Sequence, residues 1–137
     1  MTSTAIYTRD LRTELTHLRS TSLIETDAPT DNSGKGERFS PTDLLATSLA
    51  ACMLTVMGIK AKSMGVELEG LKIGVEKIMI AEPRRVSGIN LTVYVPDSLA
   101  ALDLKSKSVL QNTAETCPVM KSIHPDIKVM TDWGRWL

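Results

Sequence analysis

The chain has 137 residues, the length of one ordinary domain and too short for two full ones. Its apolar fraction of 42% and charged fraction of 23% are typical of a soluble globular protein. Sixteen Lys and Arg balance sixteen Asp and Glu, and aromatic residues make up only 4%. The composition therefore argues against nucleic-acid binding, because it supplies neither a basic field for phosphates nor rings on which bases stack.

The sequence also argues against a membrane protein. The first ten residues hold no basic region followed by an apolar run, so no signal peptide is expected. The uncharged segment 44–59 is shorter than the roughly 18–20 residues that span a bilayer, and Asp43 and Lys60 close it at both ends. We expect a helix buried inside protein, no membrane partner and a cytoplasmic location.

The first third of the chain is predicted to form strands. A Thr-rich, partly alternating stretch with Leu11, Leu15 and Leu18 precedes a predicted turn at residues 19–21. A second short apolar run begins after the turn with Leu23 and Ile24. Residues 27–38 are rich in Asp, Pro, Asn, Ser and Gly, which predicts a surface loop.

The clearest helix start follows this loop. Ser40 offers an N-cap hydroxyl, Pro41 suits the first helical position, and Asp43 stands three residues after the cap. The predicted helix ends near Gly65. Because it is apolar on nearly all faces, it must be covered on most sides, and we expect a second subunit to pack on it.

The remainder alternates strands and helices. Alternating apolar residues predict an antiparallel hairpin within 66–95, with its turn at residues 82–85. A helix is predicted from Pro96 to Glu115, with a break before Pro118, a short helical turn, and a last strand over 127–131. The sequence predicts a single α+β domain over residues 1–137.

Cys52 and Cys117 are the candidate reactive groups. In a reducing compartment a structural disulfide is not expected, so each is either a small buried apolar residue or a working thiol. Cys117 precedes Pro118 at the start of a short helix, and on local physics it is predicted to be the more acidic thiol. Cys52 lies mid-helix, so another group must supply positive charge before it reacts as a thiolate.

Two other kinds of chemistry are disfavoured. Zinc would need Cys52, Cys117, His17 and His124, none of which form a closely spaced pair, so no metal site is predicted. A Cys–His hydrolase would use the same residues, but no local segment marks an oxyanion hole.

Two segments carry a resemblance to a known family. FSPTDLLATSLAAC at 39–52 resembles the central-helix signature of the OsmC/Ohr family, and TCPVMKSIHPDIKV at 116–129 resembles its second-cysteine segment. The order of elements agrees from about residue 10 to the end. The resemblance implies an OsmC-like fold, with antiparallel strands packed around a long buried central helix. It also implies an intertwined homodimer with a thiol site at each end of the subunit interface.

The resemblance further implies a thiol-dependent peroxidase that prefers organic hydroperoxides. Cys52 matches the peroxidatic cysteine and Cys117 the resolving one, and the two pass through a sulfenic acid and a disulfide. No metal, haem or flavin is implied. An external dithiol, typically a dihydrolipoyl group, restores both thiols.

An arginine from the N-terminal strands holds the thiolate and the peroxide in this family. Arg12 falls closest to the matching place, Arg19 is the second choice and Arg9 the third, whereas a solvated strand arginine is the structural alternative. The peroxide-reducing Ohr branch carries a glutamate directly after the helix-starting proline. Here that residue is Thr42, and Asp43 follows about 100° further around the helix.

Asp43 has a second interpretation as the acid of the capping box, and we favour the cap. The departure at Thr42 keeps a second function open: a binding protein of the same fold that takes a small ligand in an apolar interface pocket, with idle or redox-sensing thiols. The presence of one cysteine in each motif favours the peroxidase.

Overall fold

The computed structural model describes residues 1–136, and the chain divides into two compact units with the boundary between Leu45 and Ala46. Each unit contains one three-stranded sheet. The mixture of separate sheets and helices confirms the predicted α+β class.

The sheet of the first unit has the order β1-β2-β3, with β1 at Ser3–Arg9, β2 at Arg12–His17 and β3 at Leu23–Asp27. Both ladders are antiparallel, and the β2–β3 register places Arg12 directly opposite Asp27. Strand β1 was not predicted, because all seven of its residues are exposed and leave no alternating pattern. Asp27 ends β3 and is buried, so the predicted loop over 27–38 begins one residue too early.

Helix α1 spans Pro41–Met64, as the cap and the terminal glycine predict. Ser40 Oγ accepts from the Asp43 N–H (3.1 Å), and Asp43 Oδ2 accepts from the Ser40 N–H (2.8 Å), which completes a reciprocal capping box. At the other end Gly65 has φ 68°, and the Val66 N–H donates to the Ala61 carbonyl. This left-handed residue ends the helix.

One face of α1 is buried within the second unit, at helical spacing: Ala46, Leu49, Ala50, Met53, Met57 and Ala61. The helix is long and apolar enough, by length and composition, to cross a membrane, and a third of that apolar stretch is buried within this chain. Ile59 is 69% exposed on another face. The helix therefore presents apolar surface on more than the side that its own chain covers.

The sheet of the second unit has the order β4-β5-β6, with β4 at Lys72–Ala81, β5 at Arg84–Tyr94 and β6 at Lys128–Asp132. The β4–β5 hairpin is antiparallel, as predicted. Strand β6 pairs with β5 in parallel, because the connection between them crosses over through helices rather than a tight turn. The buried positions of β5 alternate through Ile89, Leu91 and Val93.

Three helices form that crossover: α2 at Asp97–Ala100, α3 at Leu104–Glu115 and α4 at Pro118–Ser122. The single helix predicted from Pro96 to Glu115 is wrong. Asp103 caps α3 by accepting from the Ser106 N–H (3.0 Å), and this second start divides the segment. The break before Pro118 is confirmed.

The end of the described chain is anchored to α3. Trp136 is fully buried, and its Nε1–H donates to the Lys107 carbonyl (3.1 Å). Trp133 Nε1–H donates to Glu115 Oε1 (3.1 Å). Both indoles therefore bury their rings while satisfying their N–H groups.

The Ser40→Ala substitution should lower the free energy of unfolding by about 1 kcal/mol, because it removes the oxygen that caps α1. Urea unfolding at one fixed protein concentration measures the change. Ser63→Ala is the matched control, since Ser63 is exposed near the far end of the same helix and its Oγ donates to the Lys60 carbonyl. Equal midpoints for the two variants would contradict the capping role.

Candidate functional site: a thiol pair and a clamped arginine

Cys52 and Cys117 lie together within the second unit. Cys52 comes from the middle of α1, Cys117 stands at the N-cap of α4, and the two thiols are near enough for Cys52 to raise the pKa of Cys117. Both thiols are free. Two cysteines separated by most of this unit's sequence are thus brought near each other.

The two thiols differ in exposure because of where they lie on their elements. Cys52 directly precedes the fully buried Met53, and one residue turns a helix by about 100°. Its side chain packs against the core only in part and stays partly exposed. Cys117 is 1% exposed. A solvent-borne reactant can reach Cys52 more readily than Cys117.

Burial raises the pKa of the Cys117 thiol above its ordinary value, and the interaction with Cys52 adds to this. The Met120 N–H donates to Cys117 Sγ (3.4 Å), which opposes the shift, as expected at a helix N-terminus. The helix end from which the acidity of Cys117 was predicted therefore does not lower its pKa overall, because loss of hydration outweighs it.

Arg12 is held by two carboxylates in the first unit. Its Nε donates to Asp27 Oδ1 (2.7 Å) and its Nη2 to Asp27 Oδ2 (2.9 Å), which is a bidentate pair. Nη2 also donates to Glu37 Oε2 (3.0 Å). Hydrogen bonding from Arg12 lowers the pKa of Asp27, and the bonds to Asp27 and Glu37 raise the pKa of Arg12. The guanidinium is thus fixed in direction and permanently charged.

A strained turn presents Arg12 to these carboxylates. Asp10 (φ 52°) and Leu11 (φ 60°) form the two-residue connection between β1 and β2, where both residues need positive φ. A leucine in the left-handed region costs about 1–2 kcal/mol. The Ala28 N–H donates to the Leu11 carbonyl (3.0 Å), which ties the turn to the residue after Asp27.

The other candidate arginines are more open. Arg9 ends β1 with an 88% exposed side chain, and its Nε lies 4.0 Å from Asp10 Oδ2. Arg19 is exposed in the turn between β2 and β3. Of the three arginines proposed from the sequence, Arg12 is the one held in a bidentate ion pair.

The helix start and the histidines serve local structure. Asp43 belongs to the capping box with Ser40, as favoured from the sequence, and Thr42 Oγ1 lies 3.2 Å from Ser40 Oγ. His17 Nδ1 lies 2.6 Å from Ser20 Oγ, and His124 Nδ1 accepts from the Asp126 N–H (3.1 Å). Among residues 1–136, no group of three or more His, Cys, Asp or Glu side chains is placed to hold a metal ion.

Asp27 and Glu37 were missed in the sequence, because both were assigned to the loop over 27–38. One signal could have identified Asp27. Once a turn is placed at residues 19–21, an antiparallel hairpin brings Arg12 opposite Asp27, and opposite charges at paired positions stabilise a sheet. No comparable sequence pattern indicates Glu37.

The thiolate of Cys117 should appear only above about pH 8.5, the ordinary value for cysteine, because burial favours the neutral thiol. Ultraviolet thiolate absorbance of Cys52→Ser minus that of the double variant Cys52→Ser/Cys117→Ser isolates this titration. The same preference for the neutral thiol adds to the free energy of unfolding below about pH 8.5. This contribution disappears as pH rises through the pKa of Cys117 in the folded protein. If the titration midpoint of Cys117 in the folded protein lies at or below its midpoint in urea, burial does not dominate its pKa.

Comparison with known proteins identifies the family of the chain. The profile of the OsmC-like protein family matches residues 34–132. A search of curated protein sequences finds no significant match. A crystal structure from Psychrobacter arcticus 273-4, described as an osmotic stress-induced and detoxification response protein, is 52% identical, with a TM-score of 0.91 over 96% of this chain and 94% of that one.

More distant structures share the fold. The organic hydroperoxide resistance protein OsmC from Legionella pneumophila is 20% identical, with a TM-score of 0.72 and 96% of each chain covered. The organic hydroperoxide resistance protein OhrB of Bacillus subtilis is 22% identical, with a TM-score of 0.61 over 95% of this chain and 94% of that one. With the family profile covering most of the chain and a close structural relative over nearly all of it, the chain belongs to the OsmC-like protein family.

Proposed function

We propose that this protein is a thiol-dependent peroxidase that reduces organic hydroperoxides through a dithiol–disulfide cycle of Cys52 and Cys117. The observation that carries the proposal is the proximity of the two free thiols, one half-buried and the other buried. Two neighbouring thiols can form a disulfide once one of them is oxidised.

The cycle balances without a bound cofactor. The Cys52 thiolate attacks one peroxide oxygen, an S–O bond forms, the O–O bond breaks, and the alkoxide takes a proton and leaves as the alcohol. Cys117 then attacks the sulfenic sulfur of Cys52, and water leaves as the disulfide forms. An external dithiol, such as a cytoplasmic dihydrolipoyl group, reduces the disulfide by exchange and becomes a cyclic disulfide itself.

The environments of the two thiols fit different roles. Cys52 is the more accessible, which suits the thiol that meets the peroxide. The raised pKa of buried Cys117 keeps it a neutral thiol at neutral pH, so it does not compete for peroxide. Its proximity to Cys52 suits attack on a sulfenic acid that has already formed.

Arg12 is the proposed activating group. A thiolate at Cys52 needs a cation, and an arginine can also donate to the peroxide oxygen. In the Ohr branch a glutamate after the helix-starting proline orients this arginine, and here Thr42 takes that position. Asp27 and Glu37 hold the guanidinium of Arg12 instead, so the departure at Thr42 does not leave the arginine unsupported.

Hydroperoxide reduction is compatible with the names of the structural relatives. Two proteins of the same fold are named for organic hydroperoxide resistance. At their low identity, only the fold is shown to be shared with this chain. The Psychrobacter protein, at 52% identity, is described by osmotic stress and detoxification. Hydroperoxide detoxification fits all three descriptions together with the thiol pair.

One equivalent of cumene hydroperoxide should remove two free thiols per chain, because each turnover joins Cys52 to Cys117. Thiol counting with a chromogenic disulfide measures the loss. Cys52→Ser should block it, Cys117→Ser should stop at a sulfenic acid that dimedone traps, and Arg12→Ala should slow the peroxide step about 10²-fold.

The opposite result supports the alternative function. If both thiols survive excess hydroperoxide in the wild-type protein, the peroxidase proposal is wrong and the small-ligand-binding protein becomes the better interpretation. Turnover with dihydrolipoamide then distinguishes a catalyst from a protein that is oxidised only once.

We also propose that the protein acts as a homodimer. In the first unit, large apolar side chains that are about half or more exposed include Ile6, Tyr7, Leu23, Ile24 and Phe39. On α1, Ile59 is 69% exposed and Leu45 41% exposed. Exposed apolar surface of this kind is characteristic of surfaces that a partner covers, and a second copy of the chain would cover the uncovered face of α1.

Light scattering should give a mass about twice the 15.0 kDa of one chain. Ile59→Glu should weaken association roughly 10²-fold, because it would bury a charge in an apolar contact. Leu104→Glu is the matched control: Leu104 is 68% exposed but stands between Asp103 and Lys105. A monomeric wild-type protein, or equal effects of both variants, would contradict this interface.

A further inference from the structure

Helix α3 ends on an acidic residue, at a position where a helix disfavours one. Glu115 is the last residue of α3, and the last turn of this helix holds no basic residue. The carbonyl end of a helix carries partial negative charge, which is unfavourable for a carboxylate. The preference is overcome by hydrogen bonds that the Glu115 side chain accepts from other side chains.

Two donors hold the carboxylate of Glu115. Its Oε1 accepts from Trp133 Nε1–H (3.1 Å) and from Gln111 Nε2 (3.0 Å). Gln111 stands one turn earlier on α3, and its own Oε1 is buried without a hydrogen-bond partner within residues 1–136. Its amide is thus oriented to donate to Glu115 while its acceptor goes unused. A charged acceptor makes both hydrogen bonds stronger than neutral ones.

Trp133 is in turn fixed to the sheet of the second unit. It directly follows β6, whose last residue Asp132 pairs with Thr92 on β5. The ring of Trp133 is 8% exposed and packs near the fully buried Trp136, with ring centroids 6.2 Å apart. Through Trp133, Glu115 therefore ties the C-terminal end of α3 to the sheet.

The position of Cys117 depends on this end of α3. Cys117 lies two residues after Glu115, and its N–H donates to the Ala114 carbonyl (3.2 Å) in the last turn of the helix. Helix α4 follows directly and contributes no fully buried side chain, whereas α3 buries residues along its length. Of the two helices that flank Cys117, α3 is therefore the better anchored, and its end determines where the Cys117 sulfur lies relative to Cys52.

We propose that Glu115 is a positioning residue for the resolving thiol: with Trp133 it holds the end of α3 so that Cys117 stays near enough to attack oxidised Cys52. The inference rests on the proposed function. In that step the Cys117 sulfur attacks the sulfenic sulfur, the S–S bond forms, the S–O bond breaks, and the hydroxide leaves with the thiol proton as water. A misplacement of about 1 Å can slow such a step about 10²-fold. The earlier attack of Cys52 on the peroxide does not involve Cys117.

The test separates these two steps in variants of the Glu115–Trp133 hydrogen bond. Glu115→Ala removes the acceptor, and Trp133→Phe removes the donor but keeps a buried aromatic ring. Rapid mixing with cumene hydroperoxide, followed by dimedone and mass spectrometry, counts sulfenic acid and disulfide at each time. In both variants the conversion of sulfenic acid to disulfide should slow about 10-fold, because a hydrogen bond to a charged group is lost. The formation of sulfenic acid should keep its wild-type rate.

Three further variants identify the hydrogen bond as the cause. Glu115→Gln should resolve within about three-fold of wild type, because its amide oxygen still accepts from the indole N–H. The double variant Glu115→Ala/Trp133→Phe should be no slower than the slower single variant, because both substitutions remove the same bond. Glu76→Ala is the matched control: Glu76 also accepts from a side-chain amide in this unit, from Asn90 Nδ2 (2.8 Å), but lies on β4.

The outcomes distinguish the inference from the function on which it rests. If Glu115→Ala forms the disulfide as fast as wild type, or slows the peroxide step equally, Glu115 does not position Cys117 and the peroxidase proposal stands. The same conclusion follows if Glu76→Ala slows disulfide formation as much, or if Glu115→Gln gives no recovery. If wild-type protein forms no disulfide with the hydroperoxide, the proposed function fails, and the inference with it.

Discussion

The second unit depends on covering a 24-residue helix that has no polar face. Leu49, Met53 and Met57 are fully buried along one side of α1, and the alternating apolar residues of β5 belong to the same core. Cys52 packs partly against this core, so its thiol remains half-buried. The helix therefore sets the accessibility of the thiol on which the proposed chemistry begins.

The first unit organises its charges around one buried carboxylate. Asp27 sits at the end of a strand and would be costly to bury alone, so its burial requires the guanidinium opposite it. The same pairing makes Arg12 a fixed cation rather than a mobile surface side chain. The Arg12–Asp27 pair is thus needed both for stability and for the proposed catalysis. The strained turn at Leu11 is kept in place by its bond to the chain next to Asp27.

The sequence predicts those features that depend on local chemistry. The limits of α1 follow from Ser40, Asp43 and Gly65, and the β4–β5 hairpin follows from alternation. Strand β1 could not be predicted, because an exposed strand has no apolar period, and the division between α2 and α3 was missed because the cap at Asp103 was overlooked. The raised pKa of Cys117 and the contact of Glu37 with Arg12 depend on burial and on a loop conformation, which neighbouring residues do not encode.

The position of Cys117 at the start of α4 has an energetic consequence for the proposed cycle. When an external dithiol opens the proposed disulfide at Cys52, Cys117 leaves as a thiolate, which burial disfavours and the Met120 N–H bond to Sγ favours. A leaving thiol with a raised pKa departs more slowly. The backbone N–H at the start of α4 would therefore help to release the leaving sulfur, and the rate at which the protein is reduced again would depend on it.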